Sequence, residues 1–181
     1  SYKQPSQLDV YNTSKLYNEE KKIFNKYIKK NLKVLDIGCG EGRTTIHLHN
    51  MKCNVIGIDL VPEMIVKAKN KYSQIDFRVM NVCNLDFKDN FFDIILFSFN
   101  GLDCIYPEKK RWQAIKEIRR VLKDNGLYIM SSHNSIVWPT NKYKIFWWLV
   151  NIVTGRIFTS YRLEYKGIKK NIKFIYFFRK P

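Results

Sequence analysis

The segment Val34-Leu35-Asp36-Ile37-Gly38-Cys39-Gly40-Glu41-Gly42 constrains this chain more than any other. Its first four residues read as a short buried strand of a parallel sheet. They run directly into glycines at alternate positions, 38, 40 and 42. A turn without Cβ atoms lets the backbone approach a ligand closely. The helix expected over residues 44–49 would aim free N–H groups at the same place. A dinucleotide fingerprint is GxGxxG, with the third glycine one residue later, so the GxGxG spacing counts against a nicotinamide or flavin site. No Lys-Ser/Thr pair follows the loop, which excludes a P-loop.

The rest of the chain supplies the frame for that turn. A helical apolar pattern covers 14–30, and Pro62 opens a helix over 62–71. Further strands are expected at 54–58, 75–80, 91–97 and 127–130. An amphipathic helix over 107–122 carries Trp112, Ile115, Ile118, Arg119 and Leu122 at helical intervals, and Asp124-Asn125-Gly126 reads as a turn. Alternating strands and helices argue for an α/β fold, a doubly wound, Rossmann-like and mostly parallel sheet. Three parts are expected: an N-terminal segment and helix (1–30) acting as a lid, a core (31–134), and an apolar and basic C-terminal part (135–181). Strands at 157–165 and 172–178 would pair antiparallel at a shortened or atypical C-terminal edge.

Asp59 ends the second strand, 19 residues after Gly40. A carboxylate there can accept two hydrogen bonds from vicinal ribose hydroxyls, or simply cap the next helix. Together with the glycine turn, the ribose role is favoured.

Composition bounds the partners. The formal charge of +16 invites an anionic partner, yet an AT-rich genome would also give many lysines. Residues 1–140 hold 22 basic and 15 acidic side chains, whereas 141–181 hold 10 basic and only Glu164, so the excess lies in the tail. The four cysteines (39, 53, 83 and 104) form no CxxC pair and no cluster with zinc spacing. They read as buried thiols in a reducing, cytoplasmic compartment, with no metal. The chain begins at Ser1 rather than Met, which allows for a trimmed start, and no signal peptide is visible.

Five stretches in order resemble the class I S-adenosylmethionine-dependent methyltransferases. VLDIGCGEG looks like that family's first motif and VIGIDLVPEMI like its second. FRVMNVCNLDF resembles the third, FFDIILFSFNGLDCI the fourth, and LKDNGLYIMSSHN with its preceding helix the fifth. The resemblance implies S-adenosylmethionine as cofactor, with S-adenosylhomocysteine as product. It implies that Gly38 and Gly40 lie against the methionine part, and that Asp36 orients the loop and the cofactor amino group. Asp59 would hold the ribose, and Leu60 and Met64 would pack on the adenine. Asn81 stands where the family often has Asp, and its side-chain oxygen can accept the same bond without a charge. Val82 would offer its backbone N–H to the ring. Phe97 and Ser98 would line the methionine side. Arg43 would either meet the cofactor carboxylate or stand solvated at the helix start.

Methyl transfer from a sulfonium needs alignment and desolvation more than a dedicated catalytic group. His133, just past the fifth strand, is the candidate general base, against the plain reading of a hydrogen-bonded strand-end histidine. Asn100, Asp103 and Asn134 could line the acceptor pocket, and Tyr11 and Tyr17 a lid. Asn-Pro-Pro-Tyr/Phe is absent and the fourth strand ends Phe97-Ser98-Phe99-Asn100, which disfavours base methylation. A small-molecule or saccharide-type acceptor therefore leads. The charge keeps an RNA methyltransferase open, and the tail keeps open a non-catalytic cofactor-binding subunit completed by a partner chain. The segment 143–162 mixes aromatic and basic residues and could be a core helix, a homodimer or partner surface, or a peripheral lipid contact. The almost wholly apolar run within it, Ile145 to Val153, falls short of the ~20 residues of a transmembrane span.

Overall fold

A computed structural model of the protein describes residues 15–131 and the strand residues 176–179. Its elements are α1 (Asn18–Tyr27), β1 (Lys33–Ile37), α2 (Thr45–Asn50), β2 (Asn54–Asp59), α3 (Pro62–Lys71), β3 (Asp76–Val79), β4 (Phe92–Phe97), α4 (Glu108–Val121), β5 (Leu122–Met130) and β6 (Tyr176–Arg179). The sheet order is β3-β2-β1-β4-β5-β6. β1 to β5 are mutually parallel, and β6 runs antiparallel to β5. The chain starts in the middle, walks out to β3, and returns to the other side of β1. Such a reversal leaves a crevice at the carboxyl ends of the strands.

The sheet is covered on both faces. Only Lys33 of β1 is exposed, as expected of a central parallel strand. Val34 faces one core, beneath α1, α2 and α3, where Phe24, Leu48 and Ala68 meet Val55 and Phe77. Leu35 and Ile37 face the other, where Ala114, Ile118 and Val121 of α4 pack on Ile95. Each buried Val, Leu, Ile or Phe among them contributes about 1.5–3 kcal/mol. Among the described residues the alternation of strands and helices is broken between β3 and β4, where residues 80–91 form a helix-free loop. Arg120 holds that loop, donating to Leu85 O and Phe87 O at 2.7 Å each and pairing with Glu117 and Asp89 at 2.8 Å.

Three expectations change. Trp112 and Arg119 are exposed, and the packing stripe of α4 is Ala114, Ile118 and Val121. The Asp124-Asn125-Gly126 turn lies within β5 as a bulge, since Leu122 pairs with Phe92 and Leu127 with Ile94. The α1 helix begins at Asn18 rather than 14. Of the expected C-terminal edge, β6 is antiparallel, while 143–162 and 157–165 lie outside the described residues. No helix among the described residues is long and apolar enough to cross a membrane.

One buried charge supports the turn after β1. Asp36 is fully buried, and its Oδ2 accepts hydrogen bonds from the hydroxyls of Thr44 and Thr45, each at 2.7 Å. Its Oδ1 has no partner. Burial pushes the carboxyl up to about 6, against the pull of the two threonines and Arg43. The folded state therefore keeps a proton that the unfolded chain releases near 3.8. That contribution is present below the unfolded value and lost as pH rises through about 6. Asp36→Asn removes the titration. Relative to this variant, the wild type should lose up to about 3 kcal/mol between pH 4 and 7, read from denaturant unfolding at a series of pH values; a difference flat with pH would refute it.

Candidate functional site

The turn after β1 is fixed from the side by β2. Cys39 N–H donates to Ile58 O at 3.0 Å, and Gly40 N–H donates to Asp59 Oδ2 at 2.9 Å. Asp59 Oδ1 accepts the Val61 N–H at 2.9 Å, just before α3. Each carboxylate oxygen keeps a second acceptor site. Gly40 has φ +54°, a conformation that favours glycine, and a Cβ there would meet nothing within 4 Å. Gly42 serves packing instead, because a Cβ would come within 2.9 Å of the Phe77 ring. The thiol of Cys39 is buried, and burial together with the Asp36 and Asp59 charges pushes it up, so it stays neutral.

A cavity of about 360 Å³ opens at this carboxyl rim. Gly38, Asp59, Leu60, Asn81, Val82 and Phe97, all nominated from the sequence, line it. Leu60 is 64% exposed and Tyr106, also on its wall, 86%, so two large apolar surfaces stand at its edge. Asn81 Oδ1 accepts the Cys83 N–H at 2.9 Å, which turns the chain so that residues 80–83 form one wall. Gly101, Cys104, Ile105, Tyr106 and Lys110 are lining residues that the sequence reading missed. Nothing distinguishes Lys110 from Lys109 in the sequence; only the start of α4 beside the cavity does.

Other nominated residues sit outside the lining. Asp36 lies buried, and Gly40 lies in the same turn as Gly38. Met64 is half-buried on α3, and Ser98 is buried beside Phe97. Arg43 is not a solvated helix-start residue. Its guanidinium makes two 2.7 Å bonds to Glu20, and its side chain is 13% exposed. Cys104 is exposed, unlike the other three cysteines and contrary to expectation. His133 and Asn134, like Tyr11, lie outside the described residues.

The turn leaving β4 carries strain. Phe99 and Asn100 have φ of +55° and +59° in succession. Such non-glycine residues cost about 1–3 kcal/mol each and concentrate at functional sites. The Asn100 N–H donates to Ser131 Oγ at 3.1 Å. The Phe99 ring stacks on Tyr17, with centroids 6.2 Å apart.

These residues suit a nucleoside bearing an amino-acid arm. Asp59 offers carboxylate acceptors, Leu60 and Val82 apolar surface, Asn81 an amide, and the glycine turn room for close approach. The match to known proteins is of the same kind. A family profile described as methyltransferase domain matches residues 34–126. The chain is 37% identical over 136 residues to an uncharacterized protein of Methanocaldococcus jannaschii, covering 75% of this chain and 48% of that one. It is 31% identical over 158 residues to demethylmenaquinone methyltransferase of Lactiplantibacillus plantarum, covering 81% of this chain and 65% of the relative. The chain thus spans about half to two thirds of these relatives' length. A solved S-adenosylmethionine-dependent methyltransferase of Methanosarcina mazei superposes with a TM-score of 0.62 at 25% identity, covering 77% of this chain and 65% of that one. With the five motifs, the sheet order and the rim cavity in agreement, the chain belongs to the class I S-adenosylmethionine-dependent methyltransferases.

Proposed function

We propose that the rim cavity binds S-adenosylmethionine and that the protein transfers its methyl group to a small-molecule or saccharide-type acceptor, at oxygen or nitrogen. The observation that carries the reading is Asp59, which lines the cavity and already holds Gly40 of the turn. Bound there, S-adenosylmethionine supplies an electrophilic methyl on a sulfonium whose leaving group is a neutral thioether.

The chain's own residues bind and orient. Asp59 would accept from the ribose hydroxyls with its remaining acceptor sites. Leu60 and Val82 would flank the adenine, with Met64 behind them, and Asn81 would face its amino group. Gly38 and Gly40 would admit the methionine arm, with Phe97 and Ser98 beside it. Asp36 would keep the turn in place and lie nearest the arm's amino group, and Arg43, held by Glu20, would bear on the arm only indirectly, by fixing the turn. His133 would take the proton from a hydroxyl acceptor. The buried thiols support a reducing, cytoplasmic setting. The names of relatives, which include a demethylmenaquinone methyltransferase, support a small-molecule acceptor over RNA.

Asp59→Ala should weaken S-adenosylhomocysteine binding by tenfold or more in calorimetry, since two charge-assisted hydrogen bonds are each worth about 1.5–3 kcal/mol. Affinity equal to wild type would end the ribose assignment. Asn81→Asp should tighten binding several-fold, by adding a charge to the hydrogen bond with the adenine amino group; weaker binding would mean that residue 81 faces a ring acceptor instead. Incubation with candidate acceptors should give a product heavier by one methyl group, and steeply salt-dependent RNA binding would instead favour a nucleic-acid substrate.

A further inference from the structure

Arg43 and Glu20 make a closed, shielded pair. Both guanidinium nitrogens Nη1 and Nη2 reach the Glu20 carboxylate at 2.7 Å, and the two side chains are only 13% and 14% exposed. Nη1 also donates to Lys15 O at 3.4 Å. Glu20 Oε2 accepts a further bond from Tyr17 N–H at 2.9 Å. The guanidinium lies 5.3 Å from the Tyr17 ring centre and 5.7 Å from that of Phe99. One cation therefore joins three separate stretches: residues 15–20, the glycine turn, and the strained turn after β4.

We propose that the Arg43–Glu20 pair is a latch that holds residues 15–20 across the glycine turn and the β4 exit turn, and so fixes two walls of the cavity against each other. Arg43 has little freedom of its own. It follows Gly42, and the next two side chains, Thr44 and Thr45, are anchored to buried Asp36. Phe99 lies between Phe97 and Gly101, which both line the cavity. The body of α1 is held independently by Ile23 and Phe24 in the core. Residues 15–20 have little else: Leu16 is buried, while Lys15, Tyr17, Asn18 and Glu19 are exposed. Losing the pair should release this segment and leave the helix body and sheet in place. Arg43 is thus a positioning residue that acts through Tyr17 and Phe99. Bidentate, shielded pairs of this kind respond strongly to loss of one partner.

The structural part of the proposal stands on geometry alone; its effect on the cavity rests on the cofactor reading above. Hydrogen exchange on the full chain, with and without S-adenosylhomocysteine, tests both. Arg43→Ala should speed exchange of the bonded amides in 15–21, those of Tyr17 and Lys21, by tenfold or more, leave the amides of β1 and β4 near their wild-type rates, and raise the dissociation rate of S-adenosylhomocysteine several-fold. Glu20→Gln should act in the same direction, and the exchanged pair Arg43→Glu with Glu20→Arg should recover much of the protection. Unchanged exchange at 15–21 with lost affinity would mean that Arg43 touches the ligand directly, and would overturn the latch. Exchange raised equally across β1 and β4 would mean general destabilisation, and would overturn it as well. If the wild type binds no S-adenosylhomocysteine, the cofactor reading fails, while exchange at 15–21 in Arg43→Ala still decides whether the latch exists.

Discussion

The hydrogen bond from Gly40 N–H to Asp59 is the point on which the site depends. It joins the turn after β1 to the end of β2, and both strands are fixed in register by five paired residues. A glycine turn alone has many conformations, and its entropy would oppose a single shape. Here the neighbouring strand selects one. The same carboxylate holds the start of α3 through Val61. Turn, strand end and helix start are therefore placed by one side chain, and the cavity wall inherits its geometry from the sheet.

The second wall has a different origin. Residues 80–83 come from a loop with no helix of its own, tied to the sheet where Met80 N–H donates to Asp59 O at 2.9 Å. Beyond that point α4 holds the loop through polar contacts. Gln113 donates to Cys83 O at 3.0 Å, Glu117 accepts from Leu85 N–H at 2.9 Å, and Arg120 grips Leu85 O and Phe87 O. Cys83 and Leu85 then bury in the second core. A rigid sheet supplies one side of the site and a helix-braced loop the other, an arrangement that permits variation of the loop without loss of the fold.

The sheet was readable because buried parallel strands are short apolar runs. 34–37, 54–58 and 91–97 have that form, and each appears in the sheet within a residue or so. The glycine turn and Asp59 were readable because backbone approach and a strand-end carboxylate each need particular residue types. Contacts that depend on distance in space left no such trace. Arg43 and Glu20 are 23 residues apart, and nothing in either neighbourhood announces their pairing. Trp112 misled because a large apolar residue at helical spacing resembles a packing residue, while small Ala114 carries the contact. The bulge in β5 was hidden because Asp-Asn-Gly signals a change of direction without saying whether the strand resumes. Lys110 and Tyr106 were missed because the cavity meets the start of α4 only after the chain has folded.

The side chain of Cys39 leaves the glycine turn for the first core, beside Phe77, and its Sγ would lie 3.1 Å from a Cβ placed on Gly57. It is therefore absent from the lining of the cavity, although both its neighbours in sequence belong to the turn. Burial, together with the Asp36 and Asp59 charges, pushes the thiol up, and Sγ lies 3.7 Å from Gly40 O. The one soft nucleophile of the turn is thus spent as packing, and the rim is left to backbone and to oxygen and nitrogen groups.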